Sequence, residues 1–326
     1  MNSSFLPVTE FVLVGLKSLQ EKQIILFVIF LFAYITILIG NLMIIFLVRR
    51  DPKLNSPMYF FLHNLSFVDI VYTSITIPNM LSGFLVTSKT ISVTGCYLQM
   101  YCFLSMASTG RGLLTVMAYD RYVAICNPLR YTAIMTKSVQ VLLVIAAWCF
   151  GYIMISPAVI LAARLPFCGP NKVEHCFCDL SSVIKLACAD IKLTSVVSLT
   201  IALIILISTL FLIALSYILI GISIFKTTSS QGRWKAFSTC AAHLTVVLIS
   251  YTSAAFVYIS YRVGNISPEV RIMMAVLYSV LTPLLNPMIY SLRNKDLRDA
   301  AKRAFRKRWI IPAEKTLLKS SAESKF

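Results

Sequence analysis

Long apolar runs recur along this 326-residue chain and constrain it more than any other feature. A helix rises 1.5 Å per residue, so about 20 apolar residues cross a hydrocarbon core of roughly 30 Å. Such runs lie at about 24–48, 57–83, 93–125, 139–161, 193–225, 236–261 and 270–292. Only 13% of the residues are charged and 58% are hydrophobic, which rules out a water-soluble domain. The pattern predicts an all-α membrane protein, a seven-transmembrane helix bundle without a separate soluble domain. The bundle, residues 24–292, has an N-terminal segment 1–23 before it and a tail 293–326 after it. The first apolar run starts too far in and is too long for a secretory leader, so it reads as both first span and insertion signal.

The formal charge of +17 would suit a nucleic-acid binder if it were clustered, but it is spread around the spans. With the N-terminus outside, twenty of the 30 Lys and Arg fall on inner segments and nine on outer ones, Arg111 lying between. Eleven of the inner ones are in the tail, and the three short inner segments agree with it. Positive residues mark the cytoplasmic side, so the N-terminus is expected outside. No nucleic-acid partner is expected. In the tail, Leu297, Ala301, Ala304 and Phe305 recur at helical spacing among basic residues, which predicts a short amphipathic helix on the inner leaflet, facing membrane lipids.

Local chemistry sharpens the picture. Ser56 suits a helix N-cap and Pro57 the first turn, where the missing N–H costs nothing. Four of nine Cys (Cys168, Cys176, Cys178, Cys188) crowd into the long loop at about 162–192, which argues for an oxidising outer face. Asn2-Ser3-Ser4 and Asn265-Ile266-Ser267 are glycosylation acceptors on that face, Asn2 the more accessible. Asp69 and Arg111 are intramembrane charges, each expected to have a named partner. Asp120-Arg121-Tyr122 stands where the third run meets water.

The string Met117 to Tyr131, MAYDRYVAICNPLRY, resembles the odorant receptors of the rhodopsin-like G-protein-coupled class. Other segments carry the same resemblance: Gly40-Asn41, Pro57 to Leu62, Leu65-Ser66 through Asp69, Lys235 to Cys240 with His243-Leu244, and Pro283 to Pro287 with Ile289-Tyr290. So does the absence of Pro from the fifth and sixth runs, with Tyr251 in the sixth. The resemblance implies plasma-membrane placement, a small organic odorant as ligand, and a stimulatory, olfactory-type heterotrimeric G protein as partner. A non-olfactory rhodopsin-like receptor and a transporter are the alternatives. An amine ligand is disfavoured because the outer half of the third run has no acid. No internal repeat supports a transporter.

The resemblance also implies roles for residues. Asp120, Arg121, Tyr122, Lys235, Asn286, Pro287 and Tyr290 form the coupling switch. Asn41, Asp69 and Asn286 form a core polar network, with a sodium ion or proton near Asp69. Cys96 pairs with Cys178 and Cys168 with Cys188, leaving Cys176 over. His175, Cys178 and Asp179 match a metal pattern proposed for the family, but a disulfide-bonded Cys supplies no thiolate, so no metal site is expected. Gly110 stands where many members have Glu. Helix spacing and resemblance together place a mostly apolar pocket among Phe103, Leu104, Ala107, Ser108 and Arg111, then Ile201, Ala202 and Ile205. The sixth run adds Tyr251, Ala254, Ala255 and Tyr258, with Arg262 near the mouth, and the seventh adds Val276 and Ser279. Ordinary helix packing would give the same apolar stripes. Arg111 has two readings: a structural partner of Asp69 or other core groups, or the pocket floor that attracts an anionic or strongly accepting ligand. His63, His175 and His243 are far apart, and no catalytic constellation appears, so an enzyme is not expected.

Overall fold

The computed structural model describes residues 8–16, 21–86, 88–226, 230–260 and 266–304; the side chains of 230–239, 258, 259, 268, 292 and 293 lie outside that description. Seven long helices dominate: α1 (Gln23–Arg50), α2 (Pro57–Leu85), α3 (Val93–Cys126), α5 (Lys137–Ala163), α7 (Lys192–Lys226), α8 (Ser230–Ser260) and α9 (Pro268–Arg293). Single turns α4 (Tyr131–Ile134) and α6 (Leu180–Ile184) sit in the connections, and residues 295–304 continue as a further helical stretch.

Six of the long helices are apolar and long enough to cross a membrane; α3 is not among them. The reason is chemical. α3 carries Gln99, Ser105, Ser108, Thr109 and Arg111, all buried. It packs against α2, α5, α7 and α8, so its polar groups meet protein and not lipid. The outer helices are the reverse: Ile24, Phe32, Phe211 and Phe225 are more than 60% exposed, which in water would be a large aggregating surface. The chain is therefore a multi-pass helical membrane protein.

Side-chain oxygens start several helices. Ser92 accepts from the Gly95 N–H at 3.1 Å, Thr136 from Val139 and Ser267 from Val270, both at 3.4 Å. Ser56 does occupy the cap position before Pro57, but its carbonyl takes the Tyr59 and Phe60 N–H groups and its hydroxyl makes no cap bond.

Small residues let α3 and α5 approach. A Cβ at Gly112 would stand 3.2 Å from the Ala147 methyl, and one at Gly151 would collide with Thr109 and the Ser105 carbonyl. Gly151→Val is expected to force the two helices apart, with a clear drop in melting temperature and surface expression. Gly221, with nothing within 4 Å of an added Cβ, is the control: Gly221→Ala should be neutral or stabilise by up to about 1 kcal/mol.

Two expectations need correction. The outer face is not purely loop: β1 (Glu10–Leu13) pairs antiparallel with β2 (Lys89–Ser92) and parallel with β3 (Lys172–Val173). Phe11 and Leu13 point inward and are buried, an alternation too short to stand out in a polar segment. And α8 begins at Ser230, so the Arg233 and Lys235 backbone is helical, not inner loop. Apolar patterning marks only the membrane-embedded part of a helix, and its polar extension gives no such sign.

At the inner side, the 295–304 stretch is tied down. Leu297 and Ala300 are buried against the core, and Arg303 bonds Asp51 at 2.6 Å. That guanidinium holds the Asp51 carboxyl below its ordinary range. Tyr59 Oη faces Asn294 Oδ1 at 3.0 Å and Asp296 Oδ2 at 3.1 Å. Phe305 lies outside the described residues.

Candidate ligand cavity and switch

A cavity of about 360 Å³ opens between α3, α5, α7, α8 and α9 beneath the long loop. Nine of the expected residues line it: Phe103, Leu104, Ala107, Ser108 and Arg111 of α3, Ile201, Ala202 and Ile205 of α7, and Ala254 of α8. Phe103 is held by rings on both sides, Tyr72 at 4.7 Å and Phe177 at 5.1 Å between centroids.

Four expected residues do not line this cavity. Tyr251 turns its hydroxyl to Thr209 Oγ1 at 2.6 Å, bridging α8 to α7. Ala255 is one residue, about 100° of rotation, past the lining Ala254. Val276 is fully buried in a cluster with Ile37 and Ile77, and Ser279 bonds the Val276 carbonyl at 2.8 Å. α9 instead presents Ala275 and Tyr278. The Tyr258 side chain and Arg262 lie outside the described residues. Sequence reasoning also missed Tyr72, Ile155, Phe177, Asp179, Leu180, Ile184 and Lys185 of the lining. For Phe177 a signal existed: its neighbour Cys178 is the residue expected to tie the loop to α3.

Below lies a smaller cavity of about 40 Å³, lined by Asp69, Gly110, Arg111, Ser250, Tyr278, Thr282 and Asn286 among others. Asn286 Nδ2 donates to Asp69 Oδ2 at 2.8 Å. Asn41 is not bonded to either; its Nδ2 donates to the Pro283 carbonyl at 3.2 Å. That carbonyl is the one that Pro287, lacking an N–H, leaves without its helical partner. Gly40 makes room for the same proline: an added Cβ would stand 2.9 Å from Pro287 Cγ. The Gly40-Asn41 pair thus accommodates Pro287 in both shape and hydrogen bonding.

The resemblance implies a sodium ion or proton here. A hard cation wants several oxygens. Ser250 and Thr282 offer hydroxyls, but Gly110 offers none, Asn286 turns its N–H₂ to the carboxylate, and the Arg111 guanidinium faces the same cavity.

At the inner end, Arg121 pairs with Asp120, Nε to Oδ2 at 2.9 Å, and both are buried. Tyr131 Oη donates to the other carboxylate oxygen at 2.7 Å, and burial and that carboxylate push its phenol pKa up. Tyr122 is half-buried. His243 links three helices: Nδ1 meets Tyr217 Oη at 2.8 Å and Nε2 the Leu114 carbonyl at 3.0 Å. Only a ring with its proton on Nε2 serves both, donating to the carbonyl and accepting from the phenol. Tyr290 is wholly buried, its hydroxyl without a partner among the described residues, and the Lys235 side chain lies outside them.

Comparison with known proteins decides what this arrangement belongs to. The family model described as olfactory receptor matches residues 30–308. The chain belongs to the olfactory receptor family. It is 45% identical to human olfactory receptor 10J1 over 92% of this chain and 93% of that one. It is 44% identical to human olfactory receptor 12D1 over 97% of this chain and 98% of that one. With mouse olfactory receptor 10J5 it shares 44% identity over 93% and 97%. As a member of a receptor family it is not an enzyme.

The loop over the cavity of this olfactory receptor is held by two disulfides, Cys96–Cys178 and Cys168–Cys188, with Cα separations of 5.4 and 6.0 Å. The Cys178 N–H also bonds Gln99 Oε1 at 3.0 Å. Asp179 caps α6. Among the described residues no group of three His, Cys, Asp or Glu could hold a metal. His175 is buried, its pKa lowered by that burial, and Cys176 is a free buried thiol whose pKa burial pushes up to about 12. Thiolate is the reactive form, so Cys176 in the intact receptor should resist maleimide at neutral pH and react once the chain is unfolded, as mass spectrometry of labelled peptides will show.

Proposed function

We propose that this olfactory receptor crosses the plasma membrane seven times, N-terminus outside, and signals occupancy of the 360 Å³ cavity to a heterotrimeric G protein of the stimulatory, olfactory type. The cavity carries the reading. Its volume suits one compact organic molecule, and the loop above it is fastened by Cys96–Cys178. Residues 1–23 with the Asn2 acceptor form the outer segment, 24–292 the bundle, and 293–326 the tail. The 295–304 stretch rests on the inner leaflet against anionic lipid. Ligand shifts a pre-existing equilibrium: Arg121 leaves Asp120, α8 moves, and Tyr122, Lys235 and Tyr290 join the inner surface that meets the G protein. A cAMP reporter challenged with an odorant panel tests this. Ligand-dependent cAMP supports it, whereas ligand uptake or current without G protein sinks it.

In the lower cavity, the cation beside Asp69 is a proton or the Arg111 guanidinium, not sodium. About 40 Å³ is room for water, which needs roughly 10–15 Å³ on the same measure. Replacing sodium by choline in the medium should leave both ligand potency and melting temperature of the purified receptor unchanged; a sodium-dependent shift in either would contradict this.

A further inference from the structure

One charged side chain is shared by two cavities. Arg111 lines the outer cavity and also the smaller one below it that holds Asp69. Its Nη2 donates to Tyr278 Oη at 2.6 Å and its Nη1 to the Ala107 carbonyl at 3.3 Å. Tyr278, which lines both cavities too, accepts that bond and keeps its own O–H to turn toward a ligand oxygen. A guanidinium at this depth is costly, and an apolar residue would have filled the place without that cost.

Among the described residues, the charges around the outer cavity are Arg111, Lys185 and Asp179. Asp179 Oδ2 takes the Ser182 N–H at 3.0 Å and the Ser182 hydroxyl at 3.2 Å, which points that oxygen at α6. Two cations against one carboxylate bias the lining positive, with the buried cation at the floor and the exposed one, Lys185, on the loop side. A planar guanidinium is built for bidentate contact with a carboxylate.

We propose that this receptor is tuned to compact apolar molecules bearing a carboxylate, and that Arg111 is the specificity-determining residue for which the ligand and the Asp69 cavity compete. The proposal rests on reading the outer cavity as the ligand site. A carboxylate entering from above draws the guanidinium outward and takes positive charge away from Asp69. Asp69 holds Asn286, the residue before Pro287, so the exchange acts on α9 beside its proline. By linkage, whatever favours the guanidinium below weakens the ligand above.

The test uses the full-length receptor in lipid nanodiscs and measures affinity for straight-chain and aromatic carboxylic acids against their own methyl esters and alcohols. Acids should bind at least about tenfold more tightly, the order that a charge-assisted bond supplies. Arg111→Gln should erase that preference while ester affinity persists, and Arg111→Lys should keep part of it. Asp69→Asn should strengthen acid binding and leave ester binding alone. Persisting ester affinity shows that the Arg111→Gln protein is folded; if that variant does not fold, the preference is read from the Lys variant and the wild type. Acids no tighter than esters, or an acid preference that survives Arg111→Gln, overturns the tuning. Asp69→Asn without gain for acids overturns the competition. A receptor that raises cAMP for neutral odorants but ignores acids refutes the tuning and leaves the receptor reading standing; a folded receptor that binds nothing refutes both.

Discussion

Arg121→Ala is expected to abolish ligand-dependent cAMP, and Tyr131→Phe to raise cAMP in the absence of ligand. Both follow from how the inner charge pair is held. Asp120 is fully buried and Arg121 nearly so. A buried pair repays its desolvation only when the remaining lone pairs are also satisfied. Here one carboxylate oxygen serves Arg121 and the other takes the Tyr131 hydroxyl at 2.7 Å. Tyr131→Phe deletes that second bond and strands a buried oxygen, at a cost of about 1–3 kcal/mol to the resting arrangement. If the active state lacks the bond, the whole cost appears as a shift in the equilibrium, roughly 5- to 150-fold toward activity. Basal cAMP normalised to surface receptor reads it. Asp120→Asn should act in the same direction and more strongly, because it leaves the guanidinium without its counter-charge. No rise in basal cAMP with either variant, at equal surface expression, would show that the pair does not restrain the resting state.

Much of the bundle was legible because lipid imposes a simple rule: apolar runs of sufficient length become helices. Observed bounds fall within about two residues of the expected ones except at α8, whose polar first turns carry no such mark. The cavity was half legible. Spacing on α3 and α7 found the right faces, since α3 is packed from several sides and any inward stripe there is informative. On α8 it found Ala254 alone and on α9 no described residue, because Tyr251 and Val276 are as inward as the lining residues and are spent on neighbouring helices. Which inward face meets a cavity and which meets a helix depends on rotations of about 100° per residue that composition does not encode. The loop residues of the lining were out of reach for a different cause. Phe177, Asp179 and Lys185 come to the cavity through the disulfides and the short α6, and no periodic pattern positions them. Tyr131 was in view as part of the Met117–Tyr131 string; its bond to Asp120 was not, because the intervening turns set it.

Gly40→Val is expected to be strongly damaging, and Asn41→Leu nearly as damaging by another route. Pro287 stands against Gly40 of α1 and leaves the Pro283 carbonyl without its intrahelical donor. Gly40 admits the ring, with 2.9 Å between a hypothetical Cβ and Pro287 Cγ, and the obstacle is a stiff ring and not the end of a flexible chain. Valine adds two further methyls, so α1 and α9 must separate. The bond from Asn41 to the Pro283 carbonyl at 3.2 Å, and the contact below it, separate with them. Overpacking alone costs about 1–3 kcal/mol, and an unpaired buried carbonyl a similar amount. Against a total stability of roughly 5–15 kcal/mol that is enough to remove most receptor from the cell surface. Asn41→Leu keeps the shape and deletes only the bond, so its loss should be near 1–3 kcal/mol. Because the two changes break one contact, the double variant should be less damaging than the sum of the singles. Melting of the purified receptor measures all three. Strict additivity would mean that Gly40 and Asn41 act on α9 separately, and that the proline is not what they jointly accommodate.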